Sequence, residues 1–342
     1  MSGTMKQVVL ASYAKGNPKP SDFRVEQVPV PTPGDREILL KTLWLAVDPL
    51  FRFAIDEVRL SGAVHLQLGD VMAGATVSEV VESNHPDYKA GDVVEGRTGW
   101  REYAVVAPDQ SDYRGPPRKL DTSLAPVSTA LGALGMPGQT AHGGIATLDI
   151  KPGDTVAISA AAGAVGSIAG QIARIKGAKA VGIAGGPEKC AKLIDRYGFD
   201  AAIDYRGKDI AALTAAIRAE APDGVDIIFE NVGGDILDAG LNNLRHGARI
   251  GLCGLISEYN SVEKIGARNI WQLIVHRASI RGLLVADYIA RFAEGGAEMA
   301  TWLQQGKLIA DEHLDEGIEN SFDAFMRLFA GSNQGKMILK IA

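Results

Sequence analysis

Apolar positions along the chain follow two rhythms. Over residues 1–125 they fall in short β-branched or alternating runs at 8–13, 23–28, 37–47, 71–81, 92–96 and 102–107, separated by Gly and Pro clusters. A period of two puts alternate side chains on one face, so these runs predict strands, and their spacing predicts a small, partly open β-barrel. Pro29-Val-Pro-Thr-Pro-Gly34 reads as a turn-rich connection, and residues 84–92 read as a loop entering a strand.

The rhythm changes near Pro126. Residues 126–150 become rich in Ala, Leu and Gly and predict helix. Then short apolar runs alternate with helix-period runs: strands at 155–159, 179–184, 201–204, 225–230 and 248–253, helices at 164–176, 187–197, 208–220 and 234–244. That alternation predicts an α/β fold with a doubly wound parallel sheet. Residues 280–285 form a candidate sixth strand. The tail predicts helices around 287–305 and 317–330 and a last strand at 336–341. The expected domains are 1–125 with 296–342, and 126–295.

The first strand of the alternation runs straight into small residues and then a helix, through Ala161-x-Gly163-x-x-Gly166. Strand, glycine-rich turn and helix are the setting of a dinucleotide fingerprint. Gly163 lets backbone approach a pyrophosphate, Gly166 lets helix pack on strand, and the helix N-terminus offers N–H groups and a positive dipole end. Alanine stands at the first glycine position, so the turn has to tolerate a methyl group there. Taken alone, these residues fit a close-packed strand–helix corner equally well.

Composition narrows the field. The chain has 342 residues, 46% hydrophobic and 22% charged, with a net charge of −6. That balance gives no electrostatic support to a nucleic-acid or membrane-surface role, and no apolar run approaches a membrane span. Two cysteines, Cys190 and Cys253, and an N-terminus without a signal-peptide pattern predict a cytoplasmic protein without a disulfide framework.

The second strand of the alternation sharpens the cofactor. An acidic residue at its end would bind an adenosine ribose 2′-hydroxyl and favour NAD. Here it ends in Gly185-Gly186, followed by Lys189, while Tyr205-Arg206 closes the next strand. Two cations and a phenol suit a 2′-phosphate, which predicts NADP(H). Residues 1–150 contain no cysteine, and His65, His85 and His142 lack ligand-like spacing, so no metal site is expected.

The chain resembles the zinc-independent medium-chain dehydrogenase/reductase superfamily, and within it the NADP-dependent alkenal and alkenone double-bond reductases. The segments carrying the resemblance span nearly the whole chain. They include Ala46-Val-Asp-Pro49, Gly135-Met-Pro-Gly138, Ser159-Ala-Ala-Ala-Gly-Ala-Val-Gly166, Phe229-Glu-Asn-Val-Gly-Gly234, Cys253-Gly-Leu-Ile-Ser257, Tyr259-Asn260 and Gly335-Lys336. The resemblance implies a GroES-like β domain with a Rossmann domain, often as a homodimer, and reduction of the C=C bond of an α,β-unsaturated ketone or aldehyde. It also implies that Gly163, Ala164, Val165 and Gly166 line the pyrophosphate, and that Gly186, Lys189 and Tyr205 lie at the 2′-phosphate. Asn231, Cys253, Leu283, Leu284, Val285 and Asn333 would line the rest of the cofactor, with Pro49 near the nicotinamide.

Because the cofactor carries the hydride, the protein must orient it, stabilise a developing enolate oxygen and admit a proton to the α-carbon. A phenol, neutral yet a good donor, suits these tasks, and Tyr259 lies just past the fifth strand. The alternative is that Tyr259 packs on the nicotinamide ribose and water supplies the proton. Arg52, His142 and Tyr288 are candidate substrate contacts; for Arg52 a structural ion pair and for His142 a satisfied helix position are the competing readings. Where the family usually reads Asp-Pro-Tyr-Met-Arg, this chain has Asp48-Pro49-Leu50-Phe51-Arg52, so a second family phenol is missing. Quinone reduction is the nearest enzymatic alternative. A cofactor-binding protein without efficient catalysis is the alternative from another class.

Overall fold

The alternating runs of the first half form antiparallel strands. In the computed structural model, which describes residues 3–58, 64–111, 115–123 and 125–342, β1 (Thr4–Leu10) pairs with β2 (Phe23–Pro29). β3 (Ile38–Ala46) is the spine of the larger sheet. It pairs with β4 (Thr76–Ser83), which carries β5 (Val93–Gly96), and through Ile38 to Lys41 with β6 (Tyr103–Val106); β7 (Arg118–Lys119) adds to β5. The run expected at 71–81 is shorter than its pattern suggests. Val71 makes only an isolated bridge to Val9, and Gly74 then lies so close to the core that a Cβ would stand 2.8 Å from Leu45 and 2.9 Å from Trp100. Leu10, Leu45, Ile55, Met72, Trp100 and Phe325 form the core of this unit.

From α1 (Met136–Thr147) the architecture changes. The chain alternates through β8 (Thr155–Ser159), α2 (Gly166–Ile175), β9 (Lys179–Ala184), α3 (Pro187–Asp195), β10 (Ala201–Asp204), α4 (Ile210–Glu220), β11 (Val225–Glu230), α5 (Gly234–Leu241) and β12 (Leu244–Leu252). After the short α6 (Ile256–Tyr259) and α7 (Gln272–His276) comes β13 (Ser279–Gly282), the sixth strand, which ends before the expected 285. All six strands are parallel, in the order β10-β9-β8-β11-β12-β13. Successive strands move outward on one side of β8 and then restart at β11, so β8 and β11 flank the topological switch point, where open α/β sheets bind ligands.

The strands are apolar on both faces because both faces are covered. Val156 and Ile158 pack with Ile145, Ile168 and Ile172, while Ala157, Val181 and Ile183 pack with Leu213, Ile217 and Leu237. The helix expected at 287–305 opens as a 3-10 segment, Val285–Arg291, before α8 (Phe292–Gln304). β14 (Glu312–Glu316), α9 (Ser321–Ala330) and β15 (Lys336–Lys340) follow. β15 pairs with Trp44, Leu45 and Ala46 of β3.

Two compact units result. One comprises the chain as far as Leu131 with Glu312–Asn333 and Met337–Ala342; the other comprises Gly132–Asp311 with Gln334–Lys336. The tail therefore leaves the nucleotide-type unit at Asp311 rather than near 296. Side chains of α2 and α3 and the residue after α3 hold the intervening segment there: Gln171 donates to the Ile309 carbonyl at 2.9 Å and accepts from its N–H at 2.7 Å, and Asp311 takes Lys192 and Arg196, each at 2.7 Å.

Candidate cofactor and active site

The glycine-rich turn leaves β8 through Ala160, whose φ is +47°, in the left-handed region. The residue that strains the turn is thus Ala160, one position before the Ala161 singled out by the motif. Ala161 is fully buried and donates its N–H to the Ile183 carbonyl at 3.1 Å. Gly163 donates to the Ala160 carbonyl at 2.9 Å and closes the turn. A Cβ on Gly166 would stand 2.4 Å from the Ala160 oxygen and 2.9 Å from Ala161 Cα, so only glycine lets α2 begin here. On Gly163 a Cβ would meet one atom, the Ala160 carbonyl oxygen at 3.1 Å, a tight contact but a looser one than at Gly166. The first turn of α2 presents the N–H groups and positive dipole end expected for a phosphate. From far along the chain, Gly335 donates to the Ala162 carbonyl at 3.0 Å and bridges to Gly163. Its neighbour Gln334 donates to Glu188 at 2.6 Å.

At the end of β10, the Asp204 carboxylate accepts the N–H groups of Gly186, just past β9, at 2.7 Å and of Arg206 at 3.0 Å, and these bonds hold it below the usual carboxylate range. The bonds tie the two strand ends together. Tyr205 packs on Gly185, and the Arg206 guanidinium lies over Gly186, 3.2 Å from where a Cβ would stand. Burial, and then the charge of Arg206, lower the pKa of Lys189. Two cations crowded beside a glycine pair are chemistry that a dianionic phosphate completes, so these residues fit the 2′-phosphate of NADP(H).

At the switch point stands a group the motif reading missed. Glu230, 1% exposed, ends β11 beside Ser159 of β8. Its Oε1 accepts from Ser159 Oγ at 2.8 Å, Val232 N–H at 2.6 Å and Gly233 N–H at 2.7 Å. Burial raises its pKa against these donors. Asn231, expected to line the cofactor, is tied to the same place: its N–H donates to Ser159 Oγ and its Nδ2 to the Ser159 carbonyl, both at 2.7 Å. A carboxylate directly after the apolar run Ile227-Ile228-Phe229 was the available signal.

Cys253 follows β12 and donates its N–H to the Glu230 carbonyl at 2.8 Å; burial and the Glu230 charge push its thiol up to about 12. Tyr259 ends α6, and its hydroxyl oxygen accepts from the Leu255 N–H at 3.4 Å. Burial raises its pKa, the Leu255 bond opposes this, and Cys253 adds to the rise, so the phenol is neutral near pH 7. Leu283 donates to the Leu252 carbonyl at 2.8 Å and turns its side chain into the core, Leu284 is exposed, and Val285 begins the 3-10 segment.

The three candidate substrate contacts each have protein partners. Arg52 is 2% exposed and bonds Asp56 at 2.5 Å and the Gly16 carbonyl at 2.8 Å, as in the ion-pair reading. His142 is buried on α1 with its Nε2 2.7 Å from Glu298. Tyr288 lays its ring on Gly143, where a Cβ would be 2.3 Å away, and its hydroxyl accepts from Thr147 at 3.3 Å. Pro49 opens the 3-10 segment Pro49–Ile55 and Leu50 beside it is exposed; Asn333 is the last residue of the returning segment Glu312–Asn333. Among the described residues no three His, Cys, Asp or Glu side chains gather as metal ligands.

Residues 6–112 match the family described as "N-terminal domain of oxidoreductase", and residues 164–301 match "Zinc-binding dehydrogenase". The NADPH-dependent curcumin reductase of Escherichia coli (strain K12) is 40% identical, covering 98% of this chain and 96% of its own. The 2-alkenal reductase (NADP(+)-dependent) of Nicotiana tabacum is 37% identical over 98% of this chain and 97% of its own. The solved structure of CurA in complex with NADPH from Vibrio vulnificus superposes with a TM-score of 0.90 at 39% identity, covering 98% and 99% of the two chains. With relatives this similar along almost its entire length, the chain belongs to the NADP-dependent alkenal and alkenone double-bond reductases of the medium-chain dehydrogenase/reductase superfamily.

Proposed function

We propose that this protein reduces the C=C bond of α,β-unsaturated ketones and aldehydes with NADPH. The observation that carries the reading is the packing of Tyr205 and Arg206 on the Gly185-Gly186 end of β9, with Lys189 close enough to feel the Arg206 charge. The names of the relatives, which include curcumin and 2-alkenal reductases, support the substrate class. NADPH supplies the hydride, which goes to the β-carbon while a proton goes to the α-carbon.

The chain's own residues do the rest. The glycine turn, from Gly163 through Ala164 and Val165 to Gly166 at the start of α2, holds the pyrophosphate by backbone N–H groups, and Lys189 with Tyr205 holds the 2′-phosphate. Asn231, Cys253 and the 283–285 backbone orient the nicotinamide half. Tyr259 donates a hydrogen bond to the developing enolate and passes its proton towards the α-carbon, a task its neutral phenol suits. Leu50 in place of the family tyrosine makes its part of the substrate wall apolar.

We also propose a cytoplasmic homodimer. β13 has a strand neighbour only on the β12 side among the described residues, and Trp271, Ile274, Val275 and Ile280 are exposed on or near it. An open strand edge flanked by apolar side chains suits a second copy.

The deciding experiment measures NADPH and NADH oxidation against enals, cyclic enones, diaryl enones and quinones, with products identified. The expected outcome is saturated ketone or aldehyde with a marked NADPH preference. Quinone turnover without alkene saturation, or tight NADPH binding with no substrate oxidising it, sinks the proposal. Light scattering of the wild type and of Ile274→Glu tests the dimer, which the charge should dissociate.

A further inference from the structure

We propose that Glu230 is the positioning residue of the nicotinamide site: its buried carboxylate clasps the Asn231–Gly233 turn and, through that turn, fixes the segment 253–259. The inference rests on the reading that Asn231, Cys253 and Tyr259 face the cofactor.

The turn after β11 is weakly specified by itself. Gly233 and Gly234 have φ of +80° and +53°, two consecutive left-handed residues in a glycine pair with many other conformations open to it. What holds it is Glu230 Oε1, which gathers the N–H groups of Val232 and Gly233 and the Ser159 hydroxyl. A buried carboxylate balanced by three neutral donors, not by a cation, contributes little as a stabilising device. As an organiser it is effective, because one oxygen gathers donors from the end of β8 and from two successive residues of the turn.

The clasped turn then organises the segment after β12. The Glu230 carbonyl accepts from Cys253 at 2.8 Å and Gly254 at 3.2 Å, the Asn231 carbonyl from Ile256 at 3.1 Å, and the Val232 carbonyl from Ser257 N–H at 3.0 Å and Ser257 Oγ at 2.6 Å. Three successive carbonyls thus set the backbone that carries Tyr259. On the other side, Ser159 receives Asn231 through both its hydroxyl and its carbonyl, which fixes the carboxamide. One carboxylate therefore joins the ends of β8 and β11 and the residues beyond β12.

The test is Glu230→Gln in the full-length protein. The amide keeps shape but replaces one oxygen by a donor beside a cluster of N–H groups. Single-turnover hydride transfer should fall about 10-fold or more, the loss expected when a positioned group is slightly misplaced, and the primary isotope effect with 4-deuterated NADPH should rise. The melting temperature should stay within about 3 °C of the parent. Ser159→Ala, which removes one arm of the clasp, should lower the rate several-fold, and add little in the Glu230→Gln background. If Glu230→Gln does not fold, Ser159→Ala decides alone, and an unchanged rate overturns the proposal. An unchanged rate in folded Glu230→Gln overturns it too. Tyr259→Phe separates the two readings. If it leaves the rate unchanged while Glu230→Gln falls, the tyrosine assignment fails and the clasp acts through Asn231.

Discussion

Gly166 lies against Ala160 so closely that a methyl group on it would stand 2.4 Å from the Ala160 carbonyl oxygen. The contact is backbone to backbone, so no side chain can move aside. Gly166→Ala should destabilise the protein by about 1–3 kcal/mol through overpacking and weaken NADPH. Gly163→Ala meets only one protein atom, at 3.1 Å. It should leave urea unfolding nearly unchanged and raise the NADPH dissociation constant, because the group excluded is the ligand. Equal unfolding midpoints for the two variants would count against this division of labour.

The phosphate end predicts discrimination. Lys189→Ala should weaken NADPH by about 10- to 100-fold, the worth of a charge-assisted hydrogen bond, and leave NADH binding almost as it was. Fluorescence titration with both cofactors reads the ratio. Raising the salt concentration should weaken NADPH in the wild type more than in the variant, since the lost contact is ionic.

The thiol of Cys253, pushed up to about 12 by burial and by Glu230, should be almost inert. Near pH 8 its thiolate fraction lies about three orders of magnitude below that of an ordinary cysteine. Iodoacetamide followed by peptide mass spectrometry should find it unmodified in the folded protein and fully modified after denaturation. The consequence matters for an enzyme whose proposed substrates alkylate thiolates.

Asp311 makes the second unit sensitive to acid. Burial pushes its carboxyl up, yet Arg196, Lys192 and Tyr197 together outweigh this and hold it well below the usual range. Its folded pKa lies below the unfolded value, so its contribution is complete above about pH 4 and drains away as the pH falls further. Asp311→Asn should cost about 1–2 kcal/mol at pH 7, and its difference from the wild type should shrink by pH 3. Denaturant titrations at the two pH values measure it.

Most of the architecture was legible because it is local. Each strand and helix of the parallel sheet has its own period, and Gly163, Gly166, Lys189 and Tyr205 sit at fixed offsets from strand ends. What escaped was non-local or disguised. The strain at Ala160 hides behind an alanine-rich run in which the motif points to Ala161. Glu230 reads as the polar end of an apolar run until Ser159 is found beside it, one strand away in space and far away in sequence. Nothing in the sequence announces Glu298 as the partner of His142, or Asp56 and Gly16 as those of Arg52.

The pairing of Gly163 with Gly335 joins residues half a chain apart. A nascent chain that has already delivered every strand of the parallel sheet still lacks the strand-like strap over the glycine turn. Closing so long a loop costs entropy before the contact returns anything. The phosphate site is therefore finished late in synthesis, and NADPH meets an assembled sheet rather than guiding its assembly.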